Sequence, residues 1–189
     1  MSDRVIKAAL LGLGTVGTGV YKVLKSQEKE MSAKVGCKVE ITRILVRNVE
    51  KAAAKVADPS VLTNSWESIL EDPEIEIVIE LIGGINPARE YILQALNAGK
   101  HVVTANKDLI AVHGHELLDA AHAQKVDFLF EAAVAGGIPI IRPLKQCLAG
   151  NHMTEVMGIV NGTTNFILTK MSQEGMEFKD ALALATELG

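Results

Sequence analysis

The sequence predicts a doubly wound, mainly parallel α/β sheet followed by the start of a second, α+β domain. Short apolar runs alternate with segments of helical period over most of the chain, which is the pattern of such a sheet. The opening run Val5–Leu11 passes directly into the glycine-rich stretch Gly12–Gly17, and a helical pattern begins at once behind it. After Gly150 the alternation gives way to one strand-like run and two helical ones.

Val5–Leu11 is short and apolar, as a strand covered on both faces must be. Val16, Val20, Val23 and Leu24 then fall at helical spacing, so a helix is expected over 16–25, with the polar stretch Ser26–Lys34 as its exit loop. Val39–Val46 reads as the next strand, alanine-rich Glu50–Val56 as a short helix and Ser65–Leu70 as a further turn or two. Glu74–Leu81, rich in isoleucine and valine, supplies another strand closed by Gly83 and Gly84. Asn86 as a cap and Pro87 at the first position would open a helix reaching about Ala98, with Gly99 as its left-handed stop. His101–Thr104 is a strand, Leu109–Gln124 a helix and Val126–Phe130 a strand. Ile138–Leu148 reads as a helix opened by Pro139 and ended by Gly150, with Pro143 within its first turn or bending it. A strand at Glu155–Val160 and helices at Thr164–Gln173 and Phe178–Leu188 complete the pattern. The domain boundary is placed near 130–140, giving domains 1–135 and 136–189, the second with too few elements for an independent core.

Composition narrows the function classes. The chain has 189 residues, 48% hydrophobic and 22% charged, and no apolar run approaches a membrane span, so no membrane partner is expected. The N-terminal residues move straight into strand-like sequence without the parts of a signal peptide, which makes a cytoplasmic location the expectation. A net charge of −4 with no basic stripe argues against nucleic acid. Cys37 and Cys147 have neither the number nor the spacing of a disulfide framework or a zinc site, and both are read as free thiols.

The chemistry is concentrated in Gly12-Leu13-Gly14-Thr15-Val16-Gly17, a G-x-G-x-x-G run between a strand and a helix. Gly12 permits a tight turn, Gly14 leaves room for a pyrophosphate, and Gly17 allows helix and strand to pack closely. The helix start behind them offers free amides and partial positive charge to phosphates, so a Rossmann-type nucleotide site is expected. Where a carboxylate would receive the ribose hydroxyls of NAD, this chain has Arg47-Asn48, with Lys51 one turn further on. A guanidinium there suits a 2′-phosphate, which favours NADP over NAD; the alternative is that Arg47 is a solvated surface residue.

Three stretches, Thr104-Ala105-Asn106-Lys107, Glu131–Pro139 and Asn161–Leu168, resemble homoserine dehydrogenase in content, order and spacing, and the resemblance covers essentially the whole chain. It implies reversible hydride transfer between NAD(P)(H) and L-homoserine or L-aspartate 4-semialdehyde, in the threonine and methionine branch of amino-acid biosynthesis. The partner is then a small-molecule substrate, and the full-length protein a homo-oligomer. Residues 136–189 become the beginning of a substrate and dimerisation domain. Gly83 and Thr104, at the ends of successive strands, join Gly12 to Gly17, Arg47 and Lys107 as cofactor-binding candidates. Lys107 is the catalytic candidate, expected at a strand end on the carboxyl edge of the sheet, where an ammonium can bind a carboxylate or relay a proton; the alternative is a surface lysine after a turn. Glu131 and the carbonyls of Val134, Gly136 and Ile138 match the family's alkali-cation site, for Na+ or K+. Without the family, Glu131 would cap a helix or bond to the glycine loop. Asn161–Asn165 is expected to hold a turn over the nicotinamide, or to be a helix cap. The family's acid lysine, partner aspartate and substrate-binding glutamate fall beyond Gly189, so this chain is read as a cofactor-binding portion with little or no turnover of its own.

Three other readings compete. An acylating semialdehyde dehydrogenase needs a cysteine nucleophile, but Cys147 lies among Leu144 and Leu148 and reads as a small buried hydrophobe. A non-catalytic nucleotide-binding regulatory module would bind cofactor without turnover. Metal hydrolysis at His113 and His115 is disfavoured, because their spacing puts them on different sides of a helix.

Overall fold

A computed structural model describes residues 4–159 and 161–188. The chain forms two compact units, divided after Ala133.

The first unit is built on six strands: β1 (Val5–Leu11), β2 (Lys38–Leu45), β3 (Leu62–Thr63), β4 (Ile75–Glu80), β5 (His101–Thr104) and β6 (Phe128–Leu129). All pairings are parallel, in the order β3-β2-β1-β4-β5-β6. The order reverses at β1, and such a reversal opens a crevice beyond the carboxyl ends of the strands. The intervening helices are α1 (Thr15–Ser26), α2 (Glu28–Val35), α3 (Val49–Ala53), α4 (Glu67–Leu70), α5 (Ala88–Asn97) and α6 (Lys107–Gln124).

Two apolar layers hold this sheet. On one face Leu11, Val78, Ile92, Leu96, Leu109 and Leu117 are wholly buried; on the other, Leu10 and Ile44 pack with Tyr21 and Ile41. The stripe that α1 buries is Gly17 and Tyr21, with Val20 and Leu24 partly covered, whereas Val16 and Val23 face outward. Tyr21 belongs to this core with Leu13 and Ala52, and its hydroxyl accepts from the Ala57 amide at 3.4 Å.

Several elements depart from the sequence expectation. Glu28–Val35 is a helix, not an exit loop: Glu28 and Glu30 sit in its first turn, Lys34 in its last, and Gly36 closes it at φ 84°. Charged residues without an apolar stripe hid it. Asn86 does not cap α5; the cap position is Pro87, after a cis peptide, and the Ile85 and Pro87 carbonyls accept the Arg89 and Tyr91 amides. The two-residue β3, preceded by a 3-10 turn at Pro59–Val61, was too short to show a period.

Lys100 is 5% exposed, and its ammonium donates to the carbonyls of Asp72 (2.6 Å) and Ile75 (2.9 Å), tying the entry of β4 to that of β5. Burial lowers its pKa from the ordinary 10.5, against the attraction of Asp72. The unfolded chain therefore binds more protons in the window just below pH 10.5, and the stability this residue contributes rises with pH there. Lys100→Met is expected to cost about 1–3 kcal/mol near neutral pH, because both carbonyls lose a donor. Urea unfolding at pH 7 and pH 10 checks both points, since the gap between the proteins must widen at the higher pH.

The second unit contains α7 (Gly162–Glu174) and α8 (Phe178–Leu188), which meet through Ile167, Ala181 and Ala185. The expected helix at 138–148 is shorter: residues 141 and 142 are helical and run into a π-helical turn at Pro143–Cys147, so Pro143 sits within the first turn and Pro139 lies before it. Residues 155–159 are not a strand, and Val160 lies outside the described residues. A strand exists through its partners, and Val156, Met157 and Ile159 are exposed with no ladder beside them among the described residues.

Candidate functional site

The glycine stretch turns at the carboxyl end of β1. Gly12 has φ 97°, and its amide donates to the Leu45 carbonyl at 3.0 Å, which clips the turn to the end of β2. A β-carbon on Gly12 would lie 2.9 Å from the Leu81 carbonyl oxygen, and one on Gly17 only 2.2 Å from the Gly12 oxygen. Gly14 differs, because nothing lies within 4 Å of where its β-carbon would be. Two glycines serve the fold, and the third leaves open space. Gly14 is also the cap position of α1 with no side-chain cap, so the first-turn amides at exposed Thr15 and Val16 remain available to an anion.

This turn borders a cleft of about 890 Å³ that also takes in Leu13, the end of β2 and the start of α5. Arg47, Lys51 and Lys55 line it, and no carboxylate does among the described residues. Asn48 caps α3 by accepting the Lys51 amide at 2.6 Å, which directs the turn after Arg47. Lys55 reaches back 2.9 Å to the Leu13 carbonyl and braces the glycine turn; the sequence reading missed it because 42 positions separate the two residues. Tyr91 closes the far wall, stacked on Trp66 with centroids 4.6 Å apart.

Beyond β4 the chain turns at Gly83 (φ 78°) and Gly84 (φ 71°), both exposed. Lys107 does not end a strand: β5 stops at Thr104, and Lys107 is the first residue of α6, exposed. The reason is local, since the Asn106 carboxamide accepts the Leu109 amide at 3.1 Å and starts the helix two residues earlier than the periodicity implied. Thr104 is 1% exposed and its hydroxyl donates to Glu80 at 2.6 Å, so its side chain faces inward.

Glu131 lies in a 3-10 turn ending the first unit. In the second unit, Val134 and Gly136 belong to a tight turn in which Ala135 and Gly136 have φ 57° and 58°, and the Ile138 amide donates to the Ala135 carbonyl at 3.1 Å. Asn161 caps α7 by accepting the Thr164 amide at 2.7 Å. Cys147 is exposed, contrary to its reading as a buried hydrophobe, within a stretch, 145–159, that is exposed throughout. His113 faces Glu116 at 3.3 Å, and the described residues contain no group of three His, Cys, Asp or Glu that could hold a metal.

Residues 12–131 match the family model for the NAD-binding domain of homoserine dehydrogenase, and residues 139–189 match that for homoserine dehydrogenase. The chain is 47% identical to the homoserine dehydrogenase of Bacillus subtilis over 98% of its own length and 43% of the relative's. A crystal structure of a homoserine dehydrogenase from Thiobacillus denitrificans superposes with a TM-score of 0.90 at 48% identity, over 98% of this chain and 43% of that one. A hyperthermophilic archaeal homoserine dehydrogenase in complex with NADPH superposes at 0.82 with 28% identity, over 98% of this chain and 62% of that one. The chain thus spans less than half the length of the Bacillus and Thiobacillus proteins.

Proposed function

The chain belongs to the homoserine dehydrogenase family, and from that premise we propose that it carries the dinucleotide site of an enzyme interconverting L-homoserine and L-aspartate 4-semialdehyde. The observation that supports this most directly is the open space at Gly14, between two glycines that the fold itself requires, at the point where the sheet order reverses. A pyrophosphate fits against the main-chain nitrogens there. When bound, the nicotinamide dinucleotide would supply the hydride.

The protein's part is positioning. Gly12 to Gly17 hold the diphosphate, and Arg47 with Lys51 receives a 2′-phosphate, so NADP is the preferred cofactor; the NADPH complex of the archaeal relative supports that choice. Gly83 and the main chain at Thr104 border the reactive end. Lys107, exposed at the start of α6, binds the substrate carboxylate or relays a proton. The reaction belongs to threonine and methionine biosynthesis in the cytoplasm, and the whole enzyme is a homo-oligomer acting on a small molecule. Among the described residues no helix is long and apolar enough to cross a membrane.

The acid lysine implied by the family resemblance falls on no residue of this chain, so the 189-residue polypeptide is expected to bind cofactor while oxidising homoserine at trace rate or not at all. Calorimetric titration with NADPH and NADH, paired with absorbance at the reduced-nicotinamide band in the presence of homoserine, tests both halves. No binding of either dinucleotide would defeat the proposal, and rapid homoserine oxidation would defeat its second half.

A further inference from the structure

Glu80, the last residue of β4, is wholly buried, yet among the described residues no Lys, Arg or His forms an ion pair with it. Instead its two oxygens are divided between two structures. Oε1 accepts the amides of Ile82 (2.8 Å) and Gly83 (3.1 Å). Oε2 accepts the Thr104 hydroxyl at 2.6 Å. That hydroxyl in turn accepts the Asn106 amide at 3.0 Å, and the Asn106 side chain donates to the Gly84 carbonyl at 2.5 Å while accepting the Leu109 amide. On the other flank, the Leu81 amide donates to the Leu11 carbonyl at 2.9 Å, and the Leu81 carbonyl abuts Gly12.

A buried carboxyl is costly unless every lone pair it turns inward is used, and an aliphatic residue would have filled this place in the core without that cost. What the carboxyl adds is a link. The chain of bonds runs from the glycine turn through the Leu81–Gly84 loop to Glu80, Thr104 and Asn106, which starts the helix carrying Lys107. We propose that Glu80 is a positioning residue, which acts through Thr104 and Asn106 to fix Lys107 relative to the glycine turn. The proposal rests on the reading that the cleft takes a nicotinamide dinucleotide with Lys107 at its reactive end.

Two experiments test it, one with ligand and one without. In a double-mutant cycle on NADPH affinity, Thr104→Val is expected to weaken binding about fivefold in the parent chain but less than about twofold in a Lys107→Ala background, the size of coupling found between residues of one network. Thr104→Ser, which keeps the hydroxyl, should restore parental affinity. Equal losses in both backgrounds would overturn the proposal, because Thr104 would then act without Lys107. The second experiment is amide hydrogen exchange on Glu80→Gln. The glutamine carbonyl can still accept from Ile82 and Gly83, but its amide group cannot accept from Thr104. Exchange at Asn106 and Leu109 should accelerate about tenfold, while Ile82 and Gly83 stay near parental rates. Unchanged exchange at Asn106 and Leu109 would sink the linkage. Failure of the parent to bind NADPH would sink the cofactor reading instead, and the exchange result would still decide whether Glu80 holds the start of α6.

Discussion

Gly14→Val is expected to abolish dinucleotide binding in a protein that remains folded, whereas Gly17→Ala should damage the fold itself. The two residues stand three positions apart in one turn, and the difference lies in what surrounds each. At Gly17 a β-carbon would sit 2.2 Å from the Gly12 oxygen and 3.0 Å from its carbonyl carbon, both backbone atoms of the same turn. No side-chain rotation relieves that overlap, so α1 must lift from β1 or the turn must open. Either movement uncovers Tyr21 and Leu10, and a loss of about 3 kcal/mol or more is the cost of overpacking at a site that cannot yield. At Gly14 the backbone is extended, at φ −75° and ψ −158°, and nothing lies within 4 Å of the new β-carbon. The fold loses at most about 1 kcal/mol for a poorer cap. The branched side chain nevertheless occupies the volume the diphosphate needs, and NADPH affinity should fall at least about 100-fold, roughly 2.7 kcal/mol. Urea midpoints and calorimetric titration separate the outcomes. A Gly14→Val protein that binds NADPH as the parent does, or a Gly17→Ala protein with the parental midpoint, contradicts the roles given to these glycines.

Much of the fold was legible where its signals are local. β1, β5 and α8 appear at the positions the sequence implied, since each is an apolar or amphipathic run between clear stops. The elements that escaped depend on partners or on polar chemistry. α2 has no buried residue, so no apolar stripe announced it. β3 exists because the end of β2 offers a ladder, as in the Val46 amide bond to the Thr63 carbonyl at 2.9 Å. Residues 155–159 failed in the opposite sense, with strand composition but no partner among the described residues.

The candidate site divides the same way. Gly12, Gly14 and Gly17 could be read from spacing, because each role is a property of one residue and its turn. Glu80 could not, since a glutamate at the end of an Ile-Glu-Ile-Val-Ile-Glu run looks like a solvated strand end, as Glu76 in the same run is. Only the parallel register that sets Glu80 opposite Thr104 brings that distant hydroxyl to its carboxyl group. Lys55 escaped for the same reason: its bond to Leu13 joins residues that the crossover between β1 and β2 makes neighbours.

The second large effect is a loss of NADPH preference on removing Arg47 and Lys51. Among the described residues the cleft places three cations and no carboxylate near the end of β2, but the three are not equivalent. Lys55 is committed to the Leu13 carbonyl, while Arg47 and Lys51 are exposed on either side of the Asn48 cap, where a 2′-phosphate on the adenine ribose would lie. A guanidinium can pair with two phosphate oxygens at once and a lysine adds a point charge, so Arg47→Ala should weaken NADPH about tenfold and the double replacement about 100-fold, at about 1.4 kcal/mol per tenfold. NADH has no phosphate at that position and should change by less than about twofold. The same argument fixes two further signs. The NADPH advantage must shrink with added salt, because the pair is solvent-exposed. It must also shrink as pH falls below about 6, where a phosphate monoester loses its second charge. An Arg47→Ala, Lys51→Ala protein that keeps the parental ratio of NADPH to NADH affinity would return both residues to the solvated surface and leave the choice of cofactor to be set elsewhere in the cleft.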